Sequence, residues 1–397
     1  MPNPIPTVWR DGVEIRRVET GADFRALFEF PWHLYHDDAH WVPPLVSMRR
    51  ELLDRQRSAA WDYCEGEYFI AWRDGRPVGT IAAYINHRHE QFHDERLAWF
   101  GAFECEDDPA AATALLDTAW AWAQANGRTL MRGPQTFSSH EETGLLVSGF
   151  TRPIILMPYN KPYYERLIVG AGFQAVADSY SFYMSRDKIM SQGLHERLER
   201  VAAGVMRRSK ITVRPFDAAR KADEFRLMKE IYNAAWERNW GFVPMTEREL
   251  DNLVASLSTL LNPRLVVYAE VEGEPAGMAV GLPDFNIVLQ KARPHPAVPE
   301  WATLLKVLYH WKIAKAIDFG RVPLMGVKPE FRNRGVDVAM YAALLRALLD
   351  EGCVHNDSGW ILASNTAMVS IARNFGGEIY RTYRYYERTS AQPTIAE

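Results

Sequence analysis

The stretch Val322-Pro323-Leu324-Met325-Gly326-Val327-Lys328-Pro329-Glu330-Phe331-Arg332-Asn333-Arg334-Gly335-Val336-Asp337 decides how this chain is read. Its first six residues are apolar or small and predict a strand. A basic, glycine-containing loop follows. Then comes a helix whose Val338, Tyr341, Leu344, Leu345 and Leu348 fall on one side. Backbone N–H groups and the helix dipole at such a start favour an anion, and glycine lets a phosphate approach closely. Strand, basic loop and helix together predict a site for a phosphate-bearing ligand.

Outward from this stretch, the chain repeats itself. Tyr68-Phe69-Ile70-Ala71-Trp72 leads into Asp74-Gly75-Arg76-Pro77-Val78-Gly79. Leu265-Val266-Val267-Tyr268-Ala269 leads into Glu272-Gly273-Glu274-Pro275-Ala276-Gly277, 198 residues later. Each reads as strand, tight turn, strand. A helix capped by Asp108-Pro109 and stopped by Gly127 is expected, with Leu115, Leu116, Ala119, Trp120 and Ala123 as its apolar stripe. A helix after Pro299 that stops near Gly320 reads as its counterpart. The strands from Arg128 to Gly133 and from Arg321 to Gly326 then pair at a spacing of 193. Asn160, Gly172 and Tyr180 match Asn365, Gly377 and Tyr385 at 205. The expected organisation is an α/β domain over 1–190, a helical linker over 191–210 and a second α/β domain over 211–397.

Composition fits that plan. The 397 residues suit two domains, and 47% apolar content is enough for large cores. A formal charge of −4 gives no basic footprint for nucleic acid. Cys64, Cys105 and Cys353 are too few and scattered for a disulfide framework or a zinc site. His87, His89, Glu90 and His93 cluster without a convincing third ligand spacing, so no metal is expected. The first residues lack a charged stretch followed by an apolar one, and no apolar run is long enough to span a membrane. A soluble, cytoplasmic protein is expected.

The loop Arg332-Asn333-Arg334-Gly335-Val336-Asp337 resembles the pyrophosphate loop of the GNAT acyltransferase superfamily, with Asp337 in place of the usual small residue. Trp360-Ile361-Leu362-Ala363-Ser364-Asn365 and Phe375-Gly376-Gly377 resemble that superfamily's next strand and helix. The likeness continues through Ile231-Tyr232-Asn233-Ala234-Ala235-Trp236, Leu282-Pro283-Asp284-Phe285-Asn286 and Tyr159-Asn160-Lys161-Pro162-Tyr163-Tyr164, which are similar to bacterial tandem-GNAT proteins. Some of those resemble bacterial ceramide synthases, which join a fatty acyl group from acyl-CoA to a sphingoid-base amine. The resemblance implies two GNAT-like α/β domains, each a mixed, mostly antiparallel twisted sheet flanked by helices. It implies acyl-CoA as co-substrate and an amine acceptor. Gly326, Val327 and Lys328 would supply backbone donors, Arg332–Asp337 would hold the pyrophosphate, and Asn365 would meet the pantetheine arm. The tyrosine that often serves as acid falls at Ala372 by spacing.

The copies differ chemically. Where the second has Arg332-Asn333-Arg334-Gly335, the first is read as having His140-Glu141-Glu142-Thr143-Gly144. Carboxylates about 4 Å from a pyrophosphate would cost on the order of 1–4 kcal/mol, so only the second copy is expected to bind CoA. The ammonium of an acceptor must lose a proton. Glu141, Glu142 and His140 are base candidates, and a solvated acidic loop fits them equally. Asp284 and Asn286 follow the second hairpin, where the resemblance implies an acceptor pocket and a turn-forming pair is the alternative. Asp357 precedes a strand, near where related proteins tend to have an acid, with a solvent-facing turn as the equal alternative; Tyr385 or Tyr386 could protonate a leaving thiolate, with a core tyrosine as the alternative. Tyr232, Trp236 and Trp240 are read as lining an acyl or sphingoid channel, with core packing as the alternative. A lipid amine as acceptor would bring the protein to a membrane surface. Two other readings fit the same residues: acetyl transfer to a small polar amine or peptide, and a non-catalytic protein that binds CoA or a partner.

Overall fold

Each half of the chain is organised around a hairpin whose turn needs left-handed backbone. Arg73 lies opposite Arg76, and Val271 opposite Glu274, so each turn has two residues. Asp74 and Gly75 have φ of 51° and 76°, and Glu272 and Gly273 have 54° and 89°. Positive φ at both positions matches the right-handed twist of the flanking strands. The repeat extends to the irregularities: the pairing register slips between Ala71 and Trp72 and again between Ala269 and Glu270.

The computed structural model describes residues 8–236, 240–252 and 262–390. They fall into two units. One takes in the chain up to Ser179, Leu289–Val307 and the chain from Arg381; the other is Tyr180–Val288 with Leu308–Tyr380. In the first, β1 (Val8–Arg10), β2 (Val13–Arg17), β3 (Cys64–Arg73), β4 (Arg76–Asn86) and β5 (Ala98–Cys105) pair antiparallel in order. β6 (Leu130–Gly133) joins β5 in parallel. β7 (Leu145–Ser148) and β6 both pair antiparallel with the Arg381–Thr389 part of β14 (Glu378–Thr389). β8 (Gln174–Ser185) starts in this unit and ends in the other.

In the second unit, β9 (Ile211–Pro215), β10 (Val266–Val271), β11 (Glu274–Pro283) and β12 (Phe319–Val327) pair antiparallel, and β13 (His355–Leu362) joins β12 in parallel. The residues 191–210 form the Leu194–Ser209 helix of this unit. Both units are thus mixed, mostly antiparallel sheets flanked by helices, as the sequence predicts.

The Pro109–Ala125 helix follows β5 and covers the first sheet. Asp108 accepts from Ala110 and Ala111 N–H, Pro109 opens the helix, and Leu115, Leu116, Ala119, Trp120 and Ala123 are buried. The Val336–Asp350 helix follows β12 and buries Tyr341, Leu344, Leu345 and Leu348. These two helices are counterparts, because each joins the two parallel strands of its sheet. The helix after Pro299 spans Glu300–Leu308 and precedes β12. It belongs to an insertion between β11 and β12 and has no partner in the first copy. The 193-residue spacing is therefore overturned. β5 corresponds to β12, and β6 to β13. Among the described residues no helix is long and apolar enough to cross a membrane.

Candidate functional site

β12 sits inside the second sheet, yet it is the strand that opens to solvent. Its last six residues, Val322–Val327, are all partly exposed, while β11 beside it is buried at seven consecutive positions. The cause is local. β12 and β13 pair only from Phe319 opposite His355 to Val322 opposite Ser358. Pro323 comes next and has no N–H to extend a ladder. Beyond it, the end of β12 and the stretch from Trp360 to Ala363 remain partly exposed. The result is a strand end that is only partly covered.

Beyond this strand end the predicted loop turns through left-handed backbone. A short turn, Pro329–Phe331, leads to Asn333 with φ of 61° and Gly335 with φ of 85°. Gly335 has a second constraint. A Cβ there would lie 2.8 Å from the Val205 Cβ of the Leu194–Ser209 helix. Among the described residues no side-chain hydrogen bond caps the helix that Gly335 opens, so its first-turn N–H groups are the orphan donors of any helix start. Arg332 donates to the Ala235 carbonyl at 2.8 Å and the Val327 carbonyl at 3.3 Å. Lys328 donates to Glu230 at 2.5 Å, and Ser209 Oγ to the Arg334 carbonyl at 3.0 Å. Arg334 is exposed and lies over the Phe331 ring. The end of the Lys221–Trp236 helix is thereby tied to the loop, with Tyr232 buried one turn earlier against Phe242.

The corresponding place in the first unit is closed. Gly79 faces Cys105 as Gly277 faces Val327, so Glu104 and Cys105 occupy the positions of Gly326 and Val327. β5 is buried at six of its eight positions. Tyr35 and Tyr164, both buried, each donate to Glu104 Oε2 at 2.7 Å. Cys105 N–H donates to the Tyr164 hydroxyl at 2.9 Å, and the Tyr163 hydroxyl donates to the Cys105 carbonyl at 2.8 Å. The strand end that is partly exposed in β12 is thus covered by tyrosines here. Burial pushes the Glu104 carboxyl up to about 7. The segment at the place of the basic loop is Glu106-Asp107-Asp108, not His140-Glu141-Glu142. The charge contrast between the copies stands, but other residues carry it.

The other predicted residues scatter. His140, Glu141 and Glu142 lie between β6 and β7 in the first unit, the two glutamates exposed. Tyr385 is in the same unit, buried, and accepts from Thr143 Oγ1 at 3.2 Å. Asp284 is fully buried at the end of β11 and accepts from Asn286 N–H at 3.2 Å, a turn that starts the Asn286–Ala292 helix. Asp357 is fully buried in the paired part of β13, 3.5 Å from Arg321 and accepting from the Tyr380 hydroxyl at 2.8 Å. Arg321 lies five residues before Gly326, about 17 Å along a strand, so Asp357 is not at the loop. Asn365 caps the Thr366–Asn374 helix through Met368 N–H. Trp240 is exposed, and the Trp236 side chain lies outside the described residues. His89 contacts Glu95 at 3.2 Å, and among the described residues no group of three or more His, Cys, Asp or Glu is placed to hold a metal. Sequence reading missed Pro323, Glu230 and the Glu104–tyrosine group. A proline inside a strand is the one of these with a signal that could have been read.

No family model matches the chain. It is 34% identical over 379 residues to the bacterial ceramide synthase of Caulobacter vibrioides, covering 94% of this chain and 96% of that one. It is 32% identical over 373 residues to protein YghO of Escherichia coli (strain K12), covering 92% and 93%. A solved tandem GNAT protein from the clavulanic acid biosynthesis pathway superposes with a TM-score of 0.53 at 11% identity, covering 96% of this chain and 99% of that one. That likeness establishes the tandem GNAT fold.

Proposed function

The chain belongs to the family that holds the bacterial ceramide synthase of Caulobacter vibrioides and YghO, with a tandem GNAT fold, and from that premise we propose that its second unit carries out N-acyl transfer from acyl-CoA to a primary amine. The observation that carries this reading is the contrast between the units: β12 opens to solvent above a basic glycine loop, while β5 is closed by Tyr35, Tyr163, Tyr164 and Glu104. The N–H groups of Asn333–Asp337 and the Arg334 guanidinium are the proposed pyrophosphate contacts. Arg332 holds the loop to the Lys221–Trp236 helix. The partly exposed Gly326–Val327 end of β12 is the proposed partner of the thioester and of the oxyanion that develops from it. A C–N bond forms, the C–S bond breaks, the amine gives up a proton and the departing thiolate takes one. No nucleophilic side chain is needed.

The finer proposal is a long-chain acyl group and a long-chain amino alcohol as acceptor, which would bring the protein to a membrane surface. It rests on the name of the Caulobacter relative and on the apolar Tyr232 and Phe242 beside the loop-bearing helix. Each buried CH₂ contributes roughly 0.8 kcal/mol, so a channel would separate palmitoyl from acetyl donors by orders of magnitude. The test pairs acyl-CoAs from acetyl to stearoyl with sphinganine and with polar amines, and reads products by mass spectrometry. Preference for long chains with sphinganine is expected. Preference for acetyl-CoA and a polar amine overturns the lipid reading, and no amide from any pair overturns catalysis.

A further inference from the structure

One helix of the insertion between β11 and β12 presents apolar side chains to solvent. In the Glu300–Leu308 helix, Trp301, Leu304, Leu305 and Leu308 recur at helical spacing and share one face within an arc of ~100°. That face points outward: Trp301 is 67% exposed and Leu305 59%. Thr303, on the opposite side, is the helix's buried residue, and Glu300 anchors the first turn by accepting from Ser47 N–H at 2.7 Å and Ser47 Oγ at 2.6 Å. The chain continues helically through Tyr309–Ile313, where Tyr309 and Ile313 are also exposed. An amphipathic helix in a globular protein normally turns its apolar face to the core. This one is inverted.

Charge says what the face meets. The protein carries −4 overall, yet the insertion, residues 284–318, holds five exposed basic residues, Lys291, Arg293, Lys306, Lys312 and Lys315, against Asp284, which is buried, Glu300 and Asp318. Trp and Leu on one face with lysines beside them is the composition of a helix lying in the lipid interface. The equivalent β4–β5 connection of the first copy is only residues 87–97. We infer that the Glu300–Ile313 helical segment is a docking surface for an anionic lipid bilayer. Trp301, Leu304, Leu305 and Leu308 enter the acyl boundary, and the lysines meet phosphate headgroups. This rests on the helix itself and not on the acyl-transfer reading, so each can fail alone.

The test is co-sedimentation of the full chain with vesicles of phosphatidylglycerol mixed with phosphatidylcholine, and of phosphatidylcholine alone. The parent is expected to pellet with the anionic vesicles and less so as salt rises. Trp301→Ser with Leu305→Ser should lower partitioning roughly tenfold or more with an unchanged melting temperature, since both side chains are exposed. Lys306→Glu with Lys312→Glu should remove the preference for anionic lipid. A parent that stays in the supernatant, or a Trp301/Leu305 variant that pellets like the parent, overturns the inference. So does light scattering that finds a dimer which the same substitutions dissolve, because the face would then be an interface between copies.

Discussion

Gly335→Ala probes the loop at the residue that sets its shape. Two separable costs attach to the added methyl. Left-handed backbone at φ 85° costs an L-residue about 1–2 kcal/mol. The new Cβ would also lie 2.8 Å from Val205 Cβ and 2.9 Å from Val205 Cγ1, an overlap worth about 1–3 kcal/mol by analogy with overpacked cores. If the loop held its form, unfolding free energy would fall by about 2–5 kcal/mol. The loop will instead shift away from the Leu194–Ser209 helix, and part of the cost will appear as lost affinity for CoA. Val205→Gly removes the overlap but not the backbone strain, at about 1 kcal/mol for glycine in a helix. A double-mutant cycle in urea, with CoA titrations of all four proteins, separates the two. A coupling of about 1–3 kcal/mol is expected. If Gly335→Ala unfolds and binds CoA like the parent, or shows no coupling to Val205, the conformational reasoning is refuted.

Glu104 ties stability to pH in the first unit. Its folded pKa of about 7 lies above the ordinary 4.5, so its contribution is fully present below about 4.5 and is lost as pH rises through 7. With partial exposure discounted, that change is no more than about 3 kcal/mol; urea unfolding at pH 5 and 8 should show it, and Glu104→Gln should flatten it. Asp357→Asn removes the charge of a fully buried carboxylate 3.5 Å from the buried Arg321 and should cost about 3–5 kcal/mol in a thermal melt, with CoA affinity of the surviving folded protein close to the parent's.

Features set by adjacent residues were legible in the sequence. The Asp74-Gly75 and Glu272-Gly273 turns, the Asp108-Pro109 helix start and the Arg332–Gly335 loop each follow from local chemistry, and each is where it was expected. The middle of the repeat was misaligned because Pro299 and the apolar run after it imitate Pro109 and its helix. What distinguishes them is tertiary: Leu115 and Leu116 are buried, whereas Leu304 and Leu305 are exposed. Periodicity reports that a face exists and not what covers it. The closure of the first unit was equally hidden, since Tyr35, Glu104 and Tyr164 are far apart in sequence and meet only through the fold. Asp284 and Asp357 show the same limit, because an acidic residue beside a strand reads alike whether it faces a ligand, starts a turn as Asp284 does or lies beside a buried arginine as Asp357 does.

The most direct test is calorimetric titration of the full chain with CoA. One site per chain is expected, weakened at least tenfold in Arg332→Ala with Arg334→Ala, which removes one charge-assisted contact of about 1.5–3 kcal/mol at Arg334 and the tie that Arg332 makes between the loop and the Ala235 carbonyl, and unchanged in Glu106→Ala with Asp107→Ala. Two sites per chain, or one site that survives the arginine substitutions with parental affinity, would contradict the assignment of donor binding to the second unit.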